Sequence, residues 1–260
     1  MQKESWQHTL IAVVFSAVCL MLRWLQNMIV YDAQTQLPAS GSALSWLLAI
    51  LYAVSAAVLF LAARRFRRVY MPTEPEEALA EAPKLLLGLL GAAGLGAAFG
   101  CVLLYFTGGG TAMRITALLG LLAVPALLLF PLLPRWGGLG AALSLAPVLF
   151  FSVWLVVAYR DNAVNPVVWD YGPLILAVAS ALFAAYQLAG YLFYRVQPVR
   201  AVFAASLAPV CGLTILMDET AGAARVILAS WAVGLLAIRW LLIKNMYAPR
   251  DEGGEEEYLP

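Results

Sequence analysis

Charge is what this sequence has least of. Only 12% of its 260 residues are Asp, Glu, Lys or Arg, against about 25% in a soluble domain. Hydrophobic residues make up 63% and mean hydropathy is +0.84. That much apolar surface excludes a soluble globular domain and requires a bilayer as solvent. A net charge of +1 leaves no footprint for nucleic acid. Histidine is nearly absent: His8 stands alone, which excludes HExxH and other His-based metal sites. Cys19, Cys101 and Cys211 are odd in number and lie inside apolar runs, so neither a disulfide framework nor a zinc cluster fits. They read as small packing residues. The GxSxG, Walker A and Rossmann glycine patterns are missing. No cofactor or metal is implied, and an enzyme finds little support.

Apolar runs are what the chain has in abundance. A helical span needs about 20 mostly apolar residues. Runs of that kind cover residues 9–31, 43–63, 85–106, 113–133, 138–158, 173–194, 199–217 and 224–243. The segments LPASGS, TGGGT, PRWGG, YRVQP and DETAG separate them with turn formers. Barrel strands need only about 9–11 alternating residues, so the runs are helices. The expected fold is an all-α polytopic transmembrane bundle of about eight spans. The first run follows Lys3 but is longer than a signal-peptide core and lacks an A-x-A site, so it reads as a retained helix. No Asp or Glu occupies the middle of any span, leaving no usual carrier for a carboxylate proton relay.

Twelve of the sixteen Lys and Arg residues, Arg239 among them, fall on the side of the two termini, and three (Arg114, Arg160, Arg225) on the other. The positive-inside rule then places both termini in the cytoplasm. The long second loop, residues 64–84, carries an Arg cluster followed by Pro and Glu. It reads as a membrane anchor or as a docking segment, Arg64 to Lys84, for a cytoplasmic protein or anionic lipid. The acidic tail 247–260 reads as solvated and disordered.

Two outward connections resemble each other, Tyr31 to Pro38 and Tyr159 to Pro166, as do the turns before Arg114 and Arg225. They suggest a four-plus-four parallel repeat with halves 1–133 and 134–246, and a site between them.

The sharpest polar signal lies in the first span. Ser16, Cys19, Arg23, Gln26 and Asn27 project from one helical face. Arg23 lies roughly 12 Å from the outer boundary. An Arg near the bilayer centre costs about 2.5–3.5 kcal/mol, so this face is expected to point inward. Arg23 with Gln26 and Asn27 is a candidate contact for a small anionic or polar solute. The alternative is a structural Arg bonded to carbonyls or to Asp32, Asp218 or Glu219. A weaker stripe, Ser180, Phe183, Gln187, Gly190 and Tyr194, adds Gln187 as a candidate. Gly88, Ala92, Gly96 and Gly100 read as a helix-packing line. Pro125, Pro147 and Pro209 are expected to bend their spans.

The most polar connection is AYRDNAVNPVVWDYGP, residues 158–173. Tyr159, Arg160, Asp161, Asn165 and Asp170 are candidates for the rim of an outward site. Trp154 and Tyr159 suit the headgroup level, and Arg160 suits a helix C-terminus. Asn165-Pro166 reads as the cap and first residue of a short interfacial helix, VVWDY, with Gly172-Pro173 turning into the sixth span. Tyr159-Arg160, Ala163, Asn165-Pro166 and Tyr171 resemble a signature in uncharacterised multi-spanning inner-membrane proteins of clostridia-type bacteria. That resemblance implies a bacterial plasma membrane and no particular chemistry. The residues favour a small-solute carrier or permease-like protein. The alternative is a non-transporting membrane subunit, sensor or assembly factor that docks a partner through its loops.

Overall fold

A computed structural model describes residues 2–30, 42–66, 74–79, 82–195, 197–218 and 222–246, with side chains from Thr9 onward. Nine α-helices make up most of the described residues. They are α1 Gln2–Ile29, α2 Ala43–Arg65, α3 Pro75–Ala78, α4 Lys84–Thr107, α5 Thr111–Leu128, α6 Gly138–Asn162, α7 Val168–Leu192, α8 Pro198–Thr214 and α9 Gly222–Met246. All but α3 are long and apolar enough to cross a membrane, which gives eight spans. The chain is an integral, multi-pass membrane protein. The expected tail 247–260, the Arg67–Arg68 part of the second loop and the turn Tyr31 to Pro38 lie outside the described residues.

Helix packing follows a cyclic order: α4 on α5, α5 on α6, α6 on α7, α7 on α8, α8 on α9, and α9 back along α4. Six consecutive spans thus close into a ring. The hairpin α1–α2 packs outside it, mainly on α8. Burial follows that geometry. The apolar windows of α8 and α9 are each 67% buried, those of α1 and α2 only 28% and 22%. The hairpin faces lipid with most of its surface. The packing is therefore six plus two, and the expected four-plus-four division is not visible in it, since α2 makes no comparable contact with α4.

Proline and glycine set several local departures from the expected spans. α5 stops at Leu128, a turn earlier than expected, and the chain runs on as a 3₁₀ helix over Phe130–Trp136. Pro131 and Pro134 explain this, because neither has an N–H to give to an α-helical ladder. Pro125, Pro147 and Pro209 each sit inside a continuing helix. The glycine line of α4 divides in two. A Cβ on Gly100 would lie 2.7 Å from Ile227 Cγ1, and one on Gly96 would strike Ser230, so both admit α9 closely. Gly88 and Ala92 are exposed and meet no such neighbour; the small residue that works on the other side is Gly94, against Leu128.

The starts of α1, α4, α6 and α8 and the ends of α2, α5, α7 and α9 share one end of the bundle, the terminal end; their opposite ends share the other, the distal end. At the terminal end, part of the second loop is internal packing. Pro75, Ala78 and Leu79 are buried, and the Asn245 amide of α9 donates to the Ala78 carbonyl at 2.8 Å. Arg64 lies over the Phe60 ring at 5.3 Å.

Candidate functional site

The inward face expected of α1 is present: Ser16, Cys19, Arg23 and Gln26 are buried and Asn27 is half-buried. Arg23, only 2% exposed, uses all three guanidinium nitrogens. Its Nε donates to Asp218 Oδ1 at 2.6 Å, Nη1 to Gln26 Oε1 at 2.7 Å, and Nη2 to the Trp169 carbonyl at 3.2 Å. The third acceptor has a sequence cause. Pro173 lies four residues after Trp169 in α7 and has no N–H to offer that carbonyl, so the oxygen is left for another donor. Gln26 passes the network on to Ser45 of α2 at 2.8 Å, and Asn27 donates to the Met217 carbonyl at 2.6 Å. Trp46 of α2 meets Trp169 edge-to-face at 6.2 Å. These contacts pin the α1–α2 hairpin to the ring.

This network is at the distal end and not at mid-depth. Its partners are the second residue of α7, the residue after the α8 segment and an early residue of α2. Arg23 is bonded as the structural alternative requires, with Asp218 as the acid. Asp32 and Glu219 lie outside the described residues. Asp218 is 5% exposed. Burial pushes its carboxyl above the ordinary range, while Arg23, Asn27 and Arg225 pull it back.

Beside this pair the ring opens into a distal cavity of about 800 Å³. Arg160 and Asp161 of α6, Asp170 and Tyr171 of α7, and Asp218 supply its polar wall, with Trp154 on the apolar side. Gly108, Gly109 and Gly110 connect α4 to α5 at its edge, where small residues leave the mouth open. The cavity reaches Asp218, the partner of Arg23, while Arg23 itself lies behind that carboxylate.

The connection 158–173 supplies four of these wall residues, with a local geometry that differs from expectation. Arg160 is in the last turn of α6 and its Nη2 pairs with Asp161 Oδ1 at 3.0 Å, both exposed. Asn165 Oδ1 accepts from Val167 N at 2.9 Å, forming an Asx turn and not a helix cap. VVWDY is no separate helix: α7 begins at Val168 and runs straight through Gly172-Pro173. Trp154, expected at the headgroups, is 1% exposed within the ring, because α6 continues two turns beyond it. Tyr159 is 63% exposed and Asn165 half-buried; neither lines the cavity.

Gln187 is far from this site. It lies eighteen residues beyond Trp169 on α7, roughly 27 Å along the axis at 1.5 Å per residue. Its stripe turns toward α8, where Phe183 meets Phe203 at 6.3 Å. Arg239, counted above on the side of the two termini, is 2% exposed inside the bundle, bonded to Ser206 Oγ and, at 3.0 Å, to Thr9 Oγ1 of α1. Its place within the run 224–243 was the available signal. Arg23 and Arg239 thus fasten α1 to the ring near its two ends.

The architecture defines a polytopic α-helical membrane protein with a polar cavity at one end of a six-helix ring. No family model, curated protein or solved structure matches the chain.

Proposed function

We propose that the protein is a small-solute carrier or permease-like protein that receives its solute in the distal cavity. The carrying observation is the cavity of about 800 Å³, open at the end of the ring and walled by Arg160, Asp161, Asp170, Tyr171 and Asp218. Ligand sites of about 300–1,000 Å³ with a few polar groups on an otherwise apolar wall fit small molecules. The cavity lies at the end of the ring formed by the third to eighth spans, and its wall draws on both sequence halves, with Leu103 and Met113 from the first and Trp154 and Asp170 from the second.

The lining chemistry favours a polar or zwitterionic solute. Arg160 and Asp161 together present donors and acceptors, Asp170 and Asp218 add carboxylates, and Arg23 and Arg225 offset charge from behind. An anion held on Arg23 itself finds less support, since its nitrogens already have three acceptors. The Lys and Arg bias, eleven against three once Arg239 is assigned to the bundle interior, supports a distal end facing outward. A docking role for Arg64 to Lys84 loses part of its surface to Pro75–Leu79, which packs inward.

Purified protein in lipid nanodiscs, screened for thermal stabilisation by zwitterionic and hydroxylated solutes, tests the reading. Stabilisation by a member of that panel that Asp170→Asn weakens, while lipid-facing Leu149→Ala does not, is the expected outcome. A panel without effect on the folded protein overturns it.

A further inference from the structure

Pro147, Phe151 and Trp154 lie on one face of α6 at helical spacing and connect three features. The distal cavity ends on Trp154, which is 1% exposed. Below it, Phe151 is fully buried and stacks on Trp154, with centroids 6.2 Å apart and planes 13° from parallel. The same Phe151 ring meets Trp231 of α9 edge-on at 5.1 Å. On the other side of Phe151 is a second, small space of about 20 Å³, bounded by Trp231, Ser144, Pro147, Phe130 and Ala189 among others. Trp231 is 4% exposed, and its indole N–H has no hydrogen-bond partner among the described residues.

A buried N–H without an acceptor is costly, and native proteins satisfy nearly all of them. The space beside it is large enough for one water. Pro147, on the same wall, cannot donate to the Leu143 carbonyl, which adds an oxygen lacking its helical donor. A polar foothold therefore follows the mouth along α6, and Phe151 stands between the Trp154 and Trp231 rings that line the two spaces.

We propose that the ring axis is the solute's route, that Phe151 is its closed gate, and that the Trp231 pocket is the next station. That station takes a hydrogen-bond acceptor, from water or from the solute, on the indole N–H. This rests on the reading of the distal cavity as the solute's entrance. Rotation of Phe151 away from Trp154 joins the two spaces, because among the described residues Phe151 is the ring in contact with both tryptophans, while Phe150 meets Trp154 and Phe151.

The test is permeability of proteoliposomes to glycerol and urea, read by stopped-flow light scattering. Phe151→Ala is expected to raise glycerol permeability severalfold over the wild type and over Leu149→Ala, whose side chain on the same helix is 59% exposed. Adding Trp231→Phe, which deletes the N–H, is expected to reduce that rise; an undiminished rise overturns the station. Should Phe151→Ala not accumulate, Phe151→Leu keeps most of the apolar volume and is expected to give a smaller rise. A folded, helical Phe151 variant with wild-type permeability overturns the gate. Solute binding without a permeability change sinks the gate alone. A permeability rise in a protein that binds none of the solute panel sinks the entrance reading and leaves the gate standing.

Discussion

Replacing Arg23 by Met and Asp218 by Asn, singly and together, isolates the contact that joins the α1–α2 hairpin to the ring. Arg23→Met keeps an apolar stem of similar reach but leaves Asp218, 5% exposed, without its 2.6 Å partner. The Trp169 carbonyl, already without a helical donor because of Pro173, loses the Arg23 Nη2 donor that replaces it. Breaking a buried ion pair by removing one side costs about 3–5 kcal/mol. Asp218→Asn retains an acceptor oxygen and the other two bonds of Arg23, so the loss is nearer that of one charged hydrogen bond, about 1.5–3 kcal/mol. The double variant carries no uncompensated carboxylate. Its cost is expected to fall short of the sum of the singles by about 1–3 kcal/mol. Reversible unfolding in mixed micelles, followed by far-ultraviolet circular dichroism, measures all four proteins. Additivity within about 0.5 kcal/mol would refute the claim that the pair fastens hairpin to ring.

Two further substitutions probe the backbone and the ring interior in the same unfolding assay. Tyr194 ends α7 with φ +54°, and Arg195 N closes back on Gly190 O at 2.9 Å, a left-handed helix end that glycine adopts without strain. Tyr194→Gly is expected to stabilise by about 1 kcal/mol, and destabilisation of that size would show that the 74%-exposed ring contributes more than the strain. A Cβ on Gly120 would lie 2.9 Å from Phe150 Cε2 and closer still to Cys101 Sγ, so Gly120→Ala is expected to cost about 1–3 kcal/mol. A neutral result would mean that the aromatic cluster around Phe150 repacks easily.

The polar face of α1 was legible because helical periodicity and the cost of charge in lipid leave Arg23 few places to go. Its partner was legible only as one of three acids, since the choice among Asp32, Asp218 and Glu219 depends on which connection comes to rest beside α1. Arg239 shows the converse. Its membrane depth could be counted from the run 224–243, yet Arg near a helix end ordinarily snorkels to the interface. Here Ser206 and Thr9 supply the acceptors that make burial tolerable. The connection 158–173 misled in a different way. Gly172-Pro173 reads as a turn by local propensity, but proline is tolerated early in a helix, where one freed carbonyl is all it costs. Tertiary structure then uses that carbonyl to hold Arg23.

Composition alone settled the solvent of this protein, because 63% hydrophobic residues in runs of span length cannot be hidden from water in any other way. Periodicity and turn residues settled the helices and which ends of them meet. Neither determines which helix lies beside which. Lipid-facing and helix-facing positions in these spans are almost equally apolar, so amphipathicity carries little information on partners. Closure of α4 through α9 into a ring, with the hairpin outside, came only from side-chain fit, as at Gly96, Gly100 and Gly120. That closure is what gathers Arg160, Asp170 and Asp218, distant in sequence, around one cavity and aligns Trp154, Phe151 and Trp231 beneath it.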